Sequence, residues 1–299
     1  MIRTRTRGVL VALLLSGWVT TVTASCDSPA GHLAAKSHPP VAGARDVGKG
    51  GTQLDFSQPA PRSGRPTRQA APTVLSAEPT ARPVQGDDPQ VGALFAPDAN
   101  GSHFCTASVV PSLGHNLVMT AAHCISGRKD ASSIAFIPGY ANGVGPYGVW
   151  TGRALIVDPQ WSSSGNPDYD VGFVVLSPDD GKNVQDIVGA DQIDFDAGYS
   201  HLVRVTGYPE KDDAPVTCEN WTTEYSDTQL RFTCGGFYAG TSGSPWIVAG
   251  SAAVAHPSKI VGVIGGYQRG GDTNAVSYSV YLDSAIEALY EQAEVASAG

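Results

Sequence analysis

Two short segments hold residue types that could together activate a nucleophile. Residues 118–124, VMTAAHC, run from an apolar stretch into His123, and residues 240–246, GTSGSPW, place Ser242 and Ser244 among glycines. A hydroxyl becomes a strong nucleophile when a histidine takes its proton, and glycine lets the backbone approach a substrate carbonyl closely. On this reasoning alone, either serine could be the nucleophile.

A third segment supplies carboxylates that could orient the histidine. Asp168 and Asp170 precede the strongly apolar run at 171–176. Asp170 opens the predicted strand, so its carboxylate would lie at the edge of the core, where a charge needs a partner. Asp168 is the more solvated competitor, and a turn aspartate before a strand is also common without any catalytic role.

The cysteines favour two disulfides in an oxidising compartment. Cys105 and Cys124 lie on neighbouring apolar stretches, and Cys218 and Cys234 flank a hairpin-like segment. Neighbouring antiparallel strands bring such pairs within bridging distance. The fifth cysteine, Cys26, is then left over.

The N-terminal residues have the composition of an export signal. Residues 1–25 contain three arginines, a short apolar run and then small residues, which is typical of a secretory signal peptide. Cleavage after Ala24 or lipidation of Cys26 would both fit, and lipidation would anchor the protein to a membrane. Residues 26–88 are rich in Pro, Ala, Gly, Ser and Arg, so we predict a disordered tether or propeptide there.

From about residue 89 the pattern indicates an all-β domain at 89–299. Short apolar or alternating runs are separated by Gly, Pro, Asn and Asp, which is typical of sandwiches and barrels. Helices are expected to be scarce, except at 282–296, where apolar residues recur at helical spacing. Asp283 or Ser284 would cap that C-terminal helix.

Charge and composition exclude several classes of function. Residues 1–88 carry a formal charge of +4 and the remainder −13, so nucleic acid is not an expected partner of the folded part. No apolar run is long enough for a multi-pass membrane protein. The histidines are scattered and the cysteines are assigned to disulfides, so we expect no metal and no cofactor.

Taken together, the three segments resemble the chymotrypsin-like (trypsin-fold) serine peptidases. The resemblance depends on TAAHC at 120–124, DVGFVVL at 170–176 and GTSGSP at 240–245, in that chain order, and spans about residues 89–292. It implies two six-stranded antiparallel β-barrels followed by the C-terminal helix. The family pattern around the nucleophile matches Ser242 and not Ser244.

The resemblance also implies roles for individual residues. His123 would be the general base, Asp170 would orient it, and the amides of Gly240 and Ser242 would form the oxyanion hole. The walls of the primary specificity pocket would include the following residues: Gly236, Val263, Ile264, Gly265. The region around Gly236 has no acid and the later strand has no histidine, so we expect a neutral pocket that accepts apolar or small side chains.

One position departs from the best-known members of the family. They carry an aspartate before the nucleophile that pairs with a freed N-terminus, and this chain has Thr241 there. The chain therefore looks more like the bacterial branch that includes glutamyl endopeptidases. We expect a monomeric endopeptidase acting on protein or peptide substrates, either secreted or lipid-anchored at the extracellular face. The alternative is a surface binding protein with a peptidase fold and no turnover.

Overall fold

The computed structural model describes residues 78–96, 102–250 and 257–299. The predicted signal peptide, the lipidation candidate Cys26 and most of the predicted tether therefore lie outside the described residues. Within them, the order of strands and helices confirms the predicted all-β architecture with a C-terminal helix.

The first half of the domain forms a closed antiparallel barrel. Its strands are β2 (Val91–Phe95), β3 (His103–Val110), β4 (Leu117–Thr120), β5 (Ala135–Pro138), β6 (Trp150–Val157) and β7 (Gly172–Leu176). They pair in the closed order β2-β3-β4-β7-β6-β5. Both faces of β7 are covered, since Val174 packs inside the barrel while Phe173 and Val175 pack in a second cluster outside it. This explains why its sequence is continuously apolar.

The second half is an eight-stranded sheet. Its strands are β1 (Arg82–Pro83), β8 (Gln192–Ile193), β9 (Leu202–Gly207), β10 (Val216–Ser226), β11 (Gln229–Thr233), β12 (Pro245–Val248), β13 (Lys259–Val263) and β14 (Val276–Val280). Six of them follow the order β14-β11-β10-β9-β12-β13, and the short β8 and β1 are added at β13 and β10. The six strands expected in the second barrel are thus present, with two short additions. Among the described residues no ladder joins β13 to β14, so these six strands pair as a sheet, and we use the name second barrel for this half of the domain.

Helices are few and mostly short in the described residues. They are α1 (Ala122–Ile125), α2 (Pro159–Ser164), α3 (Val184–Val188) and α4 (Ser284–Ser297). Of the two predicted caps for the last helix, Asp283 is the N-cap, because its carboxylate accepts from the amides of Ala285 and Ile286. No helix in the described part of the chain is both long and apolar enough to span a membrane.

Helix α4 closes the outer face of the first barrel. Its apolar stripe, including Ile286 and Leu289, is buried in the cluster that contains Phe173. Tyr290 lies on the same side and donates from its hydroxyl to the carbonyl of Pro111 at 2.7 Å. Burial, together with nearby Glu294, raises the pKa of Tyr290 above its ordinary value, so this hydroxyl stays protonated and can act as a donor.

The structure contains both predicted disulfides. Cys105 and Cys124 join β3 to α1 with a Cα–Cα distance of 6.2 Å, and Cys218 and Cys234 join β10 to the end of β11 at 6.7 Å. The first disulfide therefore fixes the short helix that carries His123.

Residues 79–84 are attached to the second sheet. The Ala81 amide donates to the Gly235 carbonyl at 2.7 Å, and the Gly235 amide donates back to the Pro79 carbonyl at 2.8 Å. Farther along, the Asp88 carboxylate accepts from Arg204 at 2.8 Å and from Thr206 at 2.9 Å. The domain start at residue 89 stays a prediction. These hydrogen bonds show that residues 79–88 also pack against the folded domain.

A truncation tests this attachment. We expect a chain that begins at residue 89 to be less stable than one that begins at residue 78 by about 2–4 kcal/mol, because each lost hydrogen bond costs about 1 kcal/mol. Urea unfolding of the two proteins, followed by tryptophan fluorescence, gives the difference. Coincident unfolding curves would show that residues 78–88 contribute nothing to stability.

Candidate active site

The structure brings together His123 and Asp170, two of the residues predicted from the sequence. The imidazole Nδ1 of His123 lies 2.8 Å from Asp170 Oδ2, and the backbone amide of His123 donates to Asp170 Oδ1 at 2.8 Å. The two oxygens of one carboxylate thus hold both the ring and the backbone of the histidine. This arrangement fixes the ring with Nδ1 toward the carboxylate and leaves Nε2 for another partner.

Asp170 is fully buried and receives a third hydrogen bond from the second barrel. The amide of Gly266 donates to Asp170 Oδ2 at 3.0 Å, and the side chain of Asp170 has 0 % exposure. A buried carboxylate is tolerated only when such donors replace water. Asp168 is differently placed, because it accepts from the side chains of Thr228 and Gln229 instead.

The serine loop, which we define as residues 240–244, leaves two of its amides without acceptors. The amides of Thr241, Gly243 and Ser244 donate to the carbonyls of Tyr238, Ile264 and Thr241. Within the described residues, the amides of Gly240 and Ser242 make no hydrogen bond. The loop therefore presents the two N–H groups that were predicted to bind an oxyanion.

A residue of the first barrel is hydrogen-bonded to the backbone of the serine loop. Thr106 of β3 donates from its amide to the Ser242 carbonyl at 2.7 Å and from its hydroxyl to the Gly240 carbonyl at 3.1 Å. Gly243 has φ +85°, and a Cβ there would lie 2.1 Å from the Thr106 carbonyl and 2.2 Å from the Thr120 hydroxyl. Only glycine permits this approach, so residue 243 lies against Thr106 of β3 and against Thr120, the last residue of β4.

The two serines of the loop differ in their surroundings. Ser244 is fully buried, and its hydroxyl donates to the Thr241 carbonyl at 2.6 Å. Ser242 is partly exposed and lines a pocket. Among the described residues, no group is hydrogen-bonded to the Ser242 hydroxyl. In unliganded enzymes the bond between nucleophile and base is often long and tightens only with substrate.

A small pocket of about 60 Å³ opens beside Ser242. It is lined by Phe237, Tyr238, Ala239, Thr241, Ser242, Ile264, Arg269, Gly270, Gly271, Thr273 and Ser277. Of the four residues predicted for the pocket wall, only Ile264 is among them. Val263 is buried in the core, Gly236 faces Ala81 and Gly265 lies against Asp170.

The pocket lining includes a charged residue, Arg269, whereas the sequence led us to expect a neutral pocket. Arg269 and its neighbour Gln268 both have φ of 54°, a left-handed conformation that is unusual for two successive residues with side chains. The side chain of Arg269 is exposed. It forms no ion pair with any residue that the structure describes.

Near the histidine, sulfur and imidazole atoms lie close together without forming a metal site. Cys105, Cys124 and His123 each place a potential ligand atom within 4.8 Å of the others. Both sulfurs belong to the disulfide, so neither is a thiolate that could bind a metal.

The sequence reasoning missed Thr106, which binds the serine loop, and the contact of Gly266 with Asp170. Thr106 lies in an ordinary strand sequence, and nothing in its type announces contacts with residues more than 100 positions away. The pair Gly265-Gly266 was a usable signal, because adjacent glycines after a strand often mark a close backbone approach. At Gly265 a Cβ would lie 2.7 Å from the Asp170 carbonyl.

The hydroxyl of Thr106 gives a test of how the serine loop is supported. It also accepts from the Tyr208 amide at 2.9 Å, so Thr106→Val leaves a buried donor and the Gly240 carbonyl without a partner. We expect a loss of about 1–3 kcal/mol in the free energy of unfolding. Thr217→Val is the control. The Thr217 hydroxyl donates to the Val205 carbonyl on the paired strand β9 and lies 3.1 Å from the Thr206 hydroxyl, which keeps its own bond to Asp88 when Thr217 is replaced. Equal losses for both variants in urea unfolding would contradict a special role for Thr106.

The comparisons with known proteins agree with this geometry. A family model described as Trypsin matches residues 81–287. No curated protein matches the sequence significantly. Among solved structures, the protease Anisep from Arthrobacter nicotinovorans is 26 % identical with a TM-score of 0.59, and the match covers 71 % of this chain and 97 % of that one.

Two further structures share the fold at lower identity. The thermostable serine protease AL20 from an extremophilic microorganism is 24 % identical with a TM-score of 0.59, covering 70 % of this chain and 99 % of that one. A Glu endopeptidase is 16 % identical with a TM-score of 0.58, covering 73 % and 98 %. The family match spans more than half of the chain, so this protein belongs to the trypsin family and is a chymotrypsin-like serine peptidase.

Proposed function

We propose that the protein is an exported serine endopeptidase that cleaves peptide bonds through Ser242, His123 and Asp170. Two observations carry the proposal: a histidine is held by a buried carboxylate, and the amides of Gly240 and Ser242 have no acceptor in the part of the chain that the structure describes. These are the base and the oxyanion donors that acyl transfer requires.

In this mechanism His123 Nε2 takes the proton of the Ser242 hydroxyl as its oxygen attacks the scissile carbonyl. Asp170 Oδ2 accepts from Nδ1–H and stabilises the imidazolium that forms. The amides of Gly240 and Ser242 donate to the oxyanion, and one such donor is worth about 3–4 kcal/mol of transition-state stabilisation. His123 then protonates the leaving amine, and water hydrolyses the acyl-enzyme by the reverse sequence.

The serine loop has its own support where the best-known relatives use an aspartate. The Thr241 hydroxyl donates to the Tyr238 carbonyl at 2.8 Å, which ties the loop to the residues before it. Upstream, Gly235 exchanges two hydrogen bonds with residues 79–81. These contacts support activity that does not depend on an ion pair with a freed N-terminus.

The cellular location is part of the same proposal. Two disulfides fit an oxidising, extracellular compartment. The signal peptide at 1–25, the propeptide or tether at 26–88, lipidation of Cys26 and a monomeric state are supported by the sequence alone. Mass spectrometry of the mature N-terminus would distinguish a diacylglyceryl Cys26 from cleavage after Ala24.

The activity is tested by comparing the wild type with Ser242→Ala. We expect the wild type to cleave an unstructured protein and to react with a fluorophosphonate probe, and the variant to do neither, because only the nucleophile is removed. Ser244→Ala is the control and should keep the labelling, since the Ser244 hydroxyl is buried and bonded. A wild type that neither cleaves nor reacts would instead support a binding protein with a peptidase fold.

The pocket suggests a preference that peptide substrates can measure. Arg269 is a cation at the pocket with no ion-pair partner among the residues that the structure describes, so we expect Glu to be favoured over the isosteric Gln on the acyl side of the scissile bond. An exposed ion pair is worth about 1 kcal/mol, which is about a fivefold ratio of kcat/KM. Arg269→Gln should abolish this ratio.

The control for this measurement is Lys259→Gln. Lys259 lies at the other end of β13 and pairs with Asp194, so its loss removes the same charge away from the pocket. A Glu/Gln ratio that is unchanged in Arg269→Gln, or lowered as much by Lys259→Gln, would contradict a specific role for Arg269.

A further inference from the structure

We propose that Gln229 is a positioning residue for Asp170, tying the turn that carries the aspartate to the second barrel. The inference rests on the proposed function, because it assigns to Gln229 a part in holding the Ser242–His123–Asp170 arrangement together. Gln229 is the first residue of β11 and touches neither His123 nor Ser242 by hydrogen bonds within the described residues. Its effect would therefore act through Asp170.

The side-chain amide of Gln229 bonds at both ends. Nε2 donates to the Pro167 carbonyl at 3.1 Å and to the Asp168 carboxylate at 2.9 Å. Oε1 accepts from the Tyr267 amide at 3.0 Å. Gln229 is only 3 % exposed, so water does not compete for these bonds.

Both groups that Gln229 joins are next to the contacts of Asp170. Residues Pro167–Tyr169 form a 3₁₀ turn that ends directly at Asp170. On the other side, Gly266 precedes Tyr267 and donates to Asp170 Oδ2. The successive amides of Gly266 and Tyr267 thus bind Asp170 and Gln229, and Gln229 in turn holds the turn that precedes Asp170.

The segment from the second barrel is shaped around Gln229. Gly266 has φ +84°, and a Cβ there would lie 2.2 Å from Gln229 Oε1. No other residue could follow this path without displacing the glutamine. The close approach is an observation independent of the hydrogen bonds, and it points to the same side-chain position for Gln229.

Thr228 and Asp168 complete this tie between the barrels. The Thr228 hydroxyl donates to Asp168 Oδ1 at 2.8 Å, the same oxygen that receives Gln229 Nε2. Asp168 thus accepts hydrogen bonds from Thr228 and Gln229, where β11 begins, and Asp170 accepts them from His123. The two aspartates of the sequence NPDYD have separate tasks, one in joining the barrels and one in the triad.

A positioning role and a purely stabilising role differ in kinetics. If Gln229 only stabilises the fold, its loss lowers the melting temperature, and the folded molecules keep their kcat. If it positions Asp170, the folded molecules lose kcat while KM changes little, because misplacement affects the transition state more than substrate binding.

The first experiment compares Gln229→Met with Gln185→Met in the full chain. Gln185 is half-buried, and its side chain accepts one backbone hydrogen bond, from the Ser112 amide at 3.1 Å, so it is a control glutamine with no hydrogen bond to Asp170 or its turn in the described part of the chain. We expect Gln229→Met to lower kcat at least tenfold with KM within twofold, measured per fluorophosphonate-reactive site, and Gln185→Met to leave kcat unchanged. An unchanged kcat in Gln229→Met, or an equal loss in both variants, overturns the proposal.

A second experiment tests the contact with Asp168 by rescue. Gln229→Glu keeps an acceptor for Tyr267 but places a carboxylate against that of Asp168, so kcat should fall more than tenfold. Adding Asp168→Asn restores a donor between the two side chains and should recover kcat at least threefold. Failure of the second change to recover any activity overturns the assigned contact.

The two proposals fail in distinguishable ways. A wild type without peptidase activity or probe labelling removes the proposed function and, with it, the positioning role that rests on it. An active wild type with an equally active Gln229→Met removes only the positioning role.

Discussion

The catalytic region depends on the burial of one carboxylate. Asp170 has no exposure to solvent, and an ionised group in such a place needs donors that replace water. The His123 ring and amide supply two of them from the first barrel, and the Gly266 amide supplies the third from the second. The solvation of a single side chain therefore requires the two halves of the domain to meet at this point, in one relative position.

The serine loop is a second point at which the two halves of the domain contact each other. It belongs to the second half of the chain, yet Thr106 of the first barrel binds two of its carbonyls, at Gly240 and Ser242. Those two carbonyls are occupied, whereas the amides of Gly240 and Ser242 have no acceptor among the described residues. The contacts with β3 thus fix the backbone of the loop, and the glycine at 243 allows the two backbones to approach closely.

The fold was predictable because its signals are local, whereas much of the site depends on distant contacts. Short alternating runs indicated strands, and the joint resemblance of three short segments to a known family selected His123 and Asp170, which residue type and strand position alone had left open. The pocket was less accessible to this reasoning, since strand alternation turns Val263 into the core and the left-handed backbone at Arg269 leaves no mark in the sequence. The partners of the Gln229 side chain lie 38 to 62 residues away along the chain, and only tertiary structure shows them.

The two ends of the described chain cross over between the halves of the domain. Residues 79–84 come before the first barrel in sequence but pair with the second sheet, and α4 follows the second sheet but packs on β6 and β7 of the first barrel. Each half is therefore completed by a segment from the far end of the sequence. Neither half corresponds to one continuous stretch of chain, so the domain cannot be divided into two independently folding fragments by a single cut between the barrels.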